Sequence, residues 1–450
     1  MRWKRAASLL AFVVLLLAGV LALLALPKGH QSLGKVPVAL AVDQRTARAF
    51  VANYGSDTVS ILDATTGLVQ RTQPVAGHPL AIAVDVRDAR VVVASEGPPG
   101  QPGTLTVLDA ADGSLLSTTR VGIGPAAVVA DTTTRHAFVL NLDGASLSTV
   151  EIGTGRTLRT TPVRLIDPHF VEHPACAGIA PLNVCYSNAT AGRLIQYNGE
   201  AWYVVHQSPA GLVVDERRHH LFVVATMNNT VDEFDTRTGI LLRTIPVGLA
   251  PCAIALDPRT GQAFVSNLDS DSVSVLDTVR GVTLRTIAVG RAPSSLVLDA
   301  HGGRIVTANQ QDGTVSIVDI RHPGAARTVP MGYGPTALAM DWRAHRVLVA
   351  TMSADSGVGS YPRGLASLRV LDLLTGKMLH TTSIGRDPIA IAVDDGTGRI
   401  LVLHIERSVP EPDAGGGWWG WLQRWLPFLA RPQQPRATDV GDVEVYQRMP

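Results

Sequence analysis

The stretch PCAIALDPRTGQAFVSNLDSDSVSVLDTVRGVTLRTIAVG, residues 251–290, holds four short apolar runs at 251–257, 263–267, 272–277 and 283–289. Each run is rich in Val, Ile, Leu, Ala or Thr. Each is bounded by turn text such as Pro258-Arg259-Thr260-Gly261, so the four read as β-strands, with no helical spacing between them. The same text recurs along the chain as a proline followed six positions later by an aspartate. The copies are Pro37/Asp43, Pro79/Asp85, Pro125/Asp131, Pro209/Asp215, Pro251/Asp257, Pro293/Asp299, Pro335/Asp341 and Pro388/Asp394. Several neighbours are 42 residues apart, and the one long gap, from Pro125 to Pro209, is 84, twice that period.

A fixed period of this size means one supersecondary unit copied along the chain. Four strands per unit predicts an all-β fold, a β-propeller whose four-stranded blades pack face to face around a central channel. Eight units are clear and a ninth candidate, 163–208, is degenerate. Eight blades with that segment as an excursion is the favoured reading, with seven or nine left open. The domain organisation that follows is a membrane segment at 1–27 and a propeller over 28–450, with a Trp-rich insertion at 405–437 in the last blade.

The second strand of a unit often ends in apolar-apolar-x-Asn, and text of the Thr-Val-Ser-Val-x-Asp type follows. The copies are Phe50-Val51-Ala52-Asn53 with 58–63, Phe138-Val139-Leu140-Asn141, Phe264-Val265-Ser266-Asn267 with 272–277, and Val306-Thr307-Ala308-Asn309 with 314–319. This pattern resembles the YVTN β-propeller repeat family over nearly everything after residue 30, with Phe or Val in place of the tyrosine. The resemblance implies the propeller fold. It also implies a family with cell-surface and periplasmic members and with reported nucleic-acid binding. It implies no activity, because propellers host enzymes, ligand binders and scaffolds alike.

With 39 Lys and Arg against 38 Asp and Glu, the formal charge is +1. Such a balance makes nucleic acid an unlikely partner, and an anionic ligand needs a local patch. The N-terminus reads Arg2, Lys4 and Arg5, then an uncharged stretch over 6–26 stopped by Pro27-Lys28. That run is long enough to span a bilayer and longer than the core of a signal peptide. It also lacks a clear cleavage site, so an uncleaved signal anchor is expected. The basic flank then stays cytoplasmic and the propeller lies outside the cytoplasm, in the periplasm or at the cell surface.

Strand order turns the sequence into faces. The innermost strand of a blade comes first, so the linkers between blades share a face with the loops joining second and third strands. The last unit has three strands, near 389–394, 399–404 and 442–447, and 32–36 resembles the missing fourth; pairing the two would close the ring and seal its edges. Three units are longer than the rest. All three gain length between their second and third strands, at 97–103, at 354–364 and after His404. Function commonly sits on such loops of a rigid scaffold, so this insertion face is the candidate binding face. Its linkers supply Lys35, His78, Arg291, Tyr333 and Arg386 around the channel mouth, a set that suits an anionic or polar ligand; these are otherwise ordinary solvated positions.

The repeat aspartates each open a turn and are expected to cap its backbone N–H groups rather than hold a metal. In an exported chain Cys176 and Cys185 form the natural disulfide, with Cys252 left as a small core thiol. His169 and His173 beside those cysteines are weak metal candidates. Trp418, Trp419, Trp421 and Trp425, with Phe428 nearby, are accompanied by Arg424 and Arg431 and bounded by turn-rich flanks. A surface loop does not expose such a patch without a partner, and two partners suit it: the lipid headgroup layer, or the propeller's own blade or channel mouth.

The sequence carries no nucleophile elbow, P-loop or haem-attachment text, and no cofactor is expected. The favoured function is a membrane-anchored binding or interaction module whose partner is a protein, a glycan or a small molecule. A propeller enzyme of lactonase-like or quinoprotein-like type and a purely structural envelope protein are the alternatives. The oligomeric state is left open.

Overall fold

The computed structural model describes residues 32–163, 183–184, 193–197, 200–204, 211–351, 366–406 and 440–447, apart from 323, 325, 333, 386 and 387. It contains eight antiparallel four-stranded sheets, each ordered from the channel outwards. Blade 5 runs Pro251–Asp257, Gln262–Asn267, Ser272–Asp277 and Val282–Ala288. The inner strands of blades 1 to 8 are Pro37–Asp43, His78–Asp85, Pro125–Asp131, Leu212–Asp215, Pro251–Asp257, Pro293–Asp299, Pro335–Asp341 and Pro388–Asp394. They touch in cyclic order and the eighth returns to the first, so the ring has eight blades.

Blade 3 packs directly on blade 4, with Phe138, Leu140 and Leu147 against Leu212, Leu221 and Phe234. The strands between them, Asn183–Val184, Arg193–Tyr197 and Glu200–Val204, form a separate three-stranded sheet and are not a ninth blade. Blade 8 joins the two ends of the chain. Its inner strand is followed by Arg399–Glu406 and Val440–Gln447, and Ser32–Lys35 pairs with the latter as the outer strand. Among the described residues no helix is long and apolar enough to cross a membrane, and the expected anchor at 1–27 lies outside them.

Burial explains why the second strands read as unbroken apolar runs while the fourth strands alternate. A middle strand meets neighbouring blades on both faces, whereas an outer strand meets solvent. Phe50, Phe138, Phe222 and Phe264 occupy one repeat position and are fully buried. Each such side chain stabilises the fold by about 1.5–3 kcal/mol relative to an exposed one. The inner strands are apolar too: between each proline and aspartate the described residues include no charged side chain.

All eight repeat aspartates are buried, and each accepts a backbone N–H of its own turn at 2.7–3.2 Å, from Arg45, Arg87, Thr133, Arg217, Arg259, Gly302, Ala344 and Gly396. They are caps, as their place in the sequence implies.

A second repeated device ties each blade to its linker. Buried Asn267 donates to Ser272 Oγ at 3.1 Å and to Ser274 Oγ at 3.0 Å, and Ser274 Oγ accepts the N–H of Gly248 at 3.2 Å. Asn53, Asn141 and Asn309 make the same pair of bonds to the third strands of blades 1, 3 and 6. The glycine of the Gly-x-x-Pro linker arriving at each of these four blades lies on this amide. A Cβ at Gly248 would sit 2.6 Å from Asn267, and one at Gly122 would sit 2.6 Å from Asn141.

Asn267→Ala is expected to lower stability by about 1–3 kcal/mol, since it leaves buried hydroxyls unpaired. Gly248→Ala should also destabilise, but less in the Asn267→Ala background, where the clash is relieved. Denaturant unfolding of the double-mutant cycle measures this coupling, expected at about 0.5–3 kcal/mol; additive effects would show that the glycine is not held by the amide. Burial pushes the carboxyls of Asp63, Asp131 and Asp235 up, but hydrogen bonds from threonines and turn N–H groups outweigh it and hold them below the usual range. Their contribution is present above the unfolded value of about 3.9 and is lost as pH falls through the lower folded values. These three carboxyls should therefore leave the melting temperature unaffected from neutral pH to about pH 4 and lower it below that, as followed by circular dichroism.

Candidate functional site

The linker end of the ring is built from short loops between second and third strands. In blade 5 the residues after Asn267 are Leu268, Asp269, Ser270 and Asp271, the last with positive φ, which turns the chain in four residues. Two of these side chains hold linkers. Ser270 Oγ accepts the N–H of Leu249 in the arriving linker at 2.9 Å, and Asp271 Oδ1 accepts that of Ala292 in the departing one at 2.9 Å. Ser56 and Asp312 repeat the first contact on Lys35 and Arg291, and Asn229 repeats the second on Ala250. Consecutive blades thus clamp one linker between them, which fixes the backbone that carries the mouth residues. These clamp residues were legible only as turn formers; their signal is the spacing of three and four positions after the repeat asparagine.

Of the residues expected at this mouth, Lys35, His78 and Arg291 are exposed: Lys35 ends the outer strand of blade 8, His78 begins the inner strand of blade 2, and Arg291 lies on the linker between blades 5 and 6. His78 is the most constrained. Its Nδ1 is 2.8 Å from Asp57 Oδ1 and 3.1 Å from the Tyr54 carbonyl, and its ring stacks on Tyr54 with centroids 4.7 Å apart. The Tyr54 hydroxyl donates to Glu96 at 3.2 Å. Backbone N–H groups of Lys35 and Arg291 are clamped, whereas their charged ends make no hydrogen bond or ion pair with a described residue. Tyr333 and Arg386 lie outside the described residues.

Acids share this end: Asp57, Glu96, Asp143, Asp269, Asp271 and Asp312 all follow second strands. Asp271 and Asp312 are used as clamps, so their charge is largely directed at linker backbone, whereas Asp57 faces the His78 ring. Asp143 differs: burial pushes its carboxyl above the usual range, and it stands over Gly124. The long connections of blades 2, 7 and 8 leave second strands at Glu96, Thr351 and Glu406, at or two residues beyond the positions paired with the starts of the inner strands. Apolar Val36, Val38, Tyr54, Leu80 and Ile389 pack together below the mouth across blades 8, 1 and 2.

The tryptophans 418, 419, 421 and 425 with Phe428, the Cys176/Cys185 pair, and His169 and His173 lie outside the described residues. Among the described residues no group of three or more His, Cys, Asp or Glu could hold a metal. Cys252 is a buried free thiol, with Sγ 3.2 Å from the Pro293 carbonyl, and packs between blades 5 and 6.

No family model matches the chain. None of the curated proteins matches it in sequence. Similarity to solved structures is extensive in shape and low in sequence. The crystal structure of BamB from Moraxella catarrhalis matches with a TM-score of 0.55 and 13% identity, over 83% of this chain and 95% of that one. A functionally unknown protein from Desulfotomaculum acetoxidans DSM 771 matches with a TM-score of 0.47 and 14% identity, over 77% of this chain and 99% of that one. At such identity the likeness to BamB speaks for the propeller fold.

Because burial disfavours the charged form of Asp143, its ionisation costs folding free energy above its raised folded pKa. Asp143→Asn should therefore raise the melting temperature at neutral pH and have little effect below about pH 4, where the acid is protonated folded or unfolded. Melting curves at the two pH values decide it, and an equal effect at both would assign the change to packing.

Proposed function

We propose that the chain is a membrane-anchored extracytoplasmic propeller of the YVTN repeat type that acts as a binding module through the mouth where its linkers meet. The observation that carries this reading is the clamping of linker backbone by loop side chains, which fixes Lys35 and Arg291, with the His78 ring held by Asp57 and Tyr54, beside the origins of the longest connections. A preorganised mouth loses little entropy on binding. The wall beneath is apolar, so polar recognition belongs to the rim. Lys35 and Arg291 offer charged donors, while Asp57 and Glu96 hold the His78–Tyr54 stack in place, a combination suited to a polar ligand carrying an acceptor group. The apolar run over 6–26 supports the anchor, and the Trp-rich insertion is assigned to the lipid headgroup layer beside it.

Two measurements test this. The full chain purified from its native envelope should retain a ligand visible by native mass spectrometry, and the Lys35→Ala/His78→Ala/Arg291→Ala variant, folded by circular dichroism, should lose it; retention by the variant would remove the mouth from the reading. The full chain should also resist alkaline extraction from membranes and be digested by protease added outside spheroplasts. Protection from that protease would place the propeller in the cytoplasm and overturn the topology.

A further inference from the structure

The opposite mouth of the ring is formed by loops joining first and second strands. At most blades these loops serve the ring itself. The Thr132 N–H donates to Glu216 at 2.9 Å across blades 3 and 4, Arg135 pairs with Asp88 at 3.0 Å, and the Arg45 and Arg259 guanidinium groups reach the next blade's loop carbonyls. Blades 6, 7, 8 and 1 carry a further cluster beside such contacts. Trp342 stands 42% exposed on the rim, and its indole N–H donates to Asp395 Oδ2 of blade 8 at 2.6 Å. Gln44 of blade 1 donates to the same oxygen at 2.9 Å. His301 of blade 6 lies nearly parallel to the indole, centroids 6.0 Å apart, and the Arg343 guanidinium is 5.6 Å from the ring centroid.

Two independent observations mark this cluster. An exposed tryptophan whose orientation is set by a hydrogen bond to a buried carboxylate is a preorganised apolar platform. Asp395 itself is 4% exposed, and its Oδ1 is buried without a hydrogen-bond partner among the described residues. A buried carboxylate with two donors on one oxygen and none on the other is costly, and a native structure keeps such a group for a reason. Gln44, which reaches this carboxylate from blade 1, is itself exposed at the rim.

The chemistry of the set selects the ligand. A cation on the indole would be repelled by Arg343, and an anion would be repelled by Asp395. A neutral polyhydroxylated ring meets every group: its C–H face lies on the indole, a hydroxyl donates to Asp395 Oδ1, and other oxygens accept from Arg343, His301 or Gln44. We propose that the mouth opposite the linkers carries a second binding site, centred on Trp342 and Asp395, for a neutral saccharide. It spans four blades, including the one that joins the two ends of the chain, so the site exists only in the closed ring.

The test uses the full chain, titrated calorimetrically and by tryptophan fluorescence with neutral hexose and N-acetylhexosamine oligosaccharides, and with tetramethylammonium and inorganic sulfate as charged probes. Saturable binding of a neutral oligosaccharide is expected. Trp342→Ala should weaken it about tenfold or more, Trp342→Phe should weaken it less, and Asp395→Asn should weaken it with the fold intact by circular dichroism. Lys35→Ala/Arg291→Ala, at the other mouth, should leave it unchanged, which separates this site from the one proposed above. Should Trp342→Ala fail to fold, the Phe and Asn variants carry the comparison. Binding of no neutral oligosaccharide, binding of the charged probes alone, or equal saccharide affinity in folded Trp342 and Asp395 variants would overturn the proposal.

Discussion

The side-chain amide of the repeat asparagine is the constraint from which most of this architecture follows. Asn53, Asn141, Asn267 and Asn309 end their second strands fully buried, and each donates to hydroxyls five and seven residues later. Those two spacings require a four-residue loop with its last residue at positive φ, as at Asp57, Ala145, Asp271 and Gly313. The linker arriving at the same blade must then cross the amide without a side chain, which is why it carries glycine there. In these four blades one buried polar group thus ties the turn to the arriving linker. A buried amide donor without a partner costs more than its bonds contribute, so the arrangement is specified rather than merely preferred.

The exceptions follow the same logic. Blades 2, 7 and 8 carry Ser95, Thr351 and His404 where blades 1, 3, 5 and 6 have asparagine, and they are the blades with long connections after the second strand. A long connection abolishes the tight spacing the amide needs, so another pair replaces it. In blade 7 Thr351 and Ser367 share a hydrogen bond at 2.8 Å across the strands, and in blade 8 buried His404 stands opposite Asp442. Blade 4 departs without an insertion. Ala225 replaces the asparagine, and buried Asp232 takes the serine position and accepts from Thr244 at 2.7 Å.

The two ends of the ring divide their tasks differently. At the linker end, acids and serines of the loops are spent on linker backbone, and the mouth keeps the side chains that linkers happen to carry. At the other end, buried aspartates cap turns while exposed arginines bridge neighbouring blades. Between them the inner strands present a wall without charge. Recognition of a polar partner is therefore confined to the rims, and the blades act as a frame that holds rim groups in register.

The repeat was legible in the sequence because each blade is a local unit: the proline that starts the inner strand, the aspartate that caps its turn and the apolar middle strand all act within some forty residues, and the period itself announces a ring. The pairing of 32–35 with the last blade was also legible, since a unit short of one strand must find it elsewhere. What only the tertiary structure decided is how distant units meet. Nothing local in 163–208 says that the ring passes it by; that follows from blade 3 fitting blade 4 through Phe138 and Leu221. In the sequence Lys35, His78 and Arg291 read as a basic mouth, and the carboxylates of Asp57 and Glu96 that hold the His78–Tyr54 stack come from loops read as turns. Trp342 and Asp395 are 53 residues apart in different units. Their contact exists because closure of eight blades brings separate turns to one rim, and a repeat pattern encodes the turns but not which of them will touch.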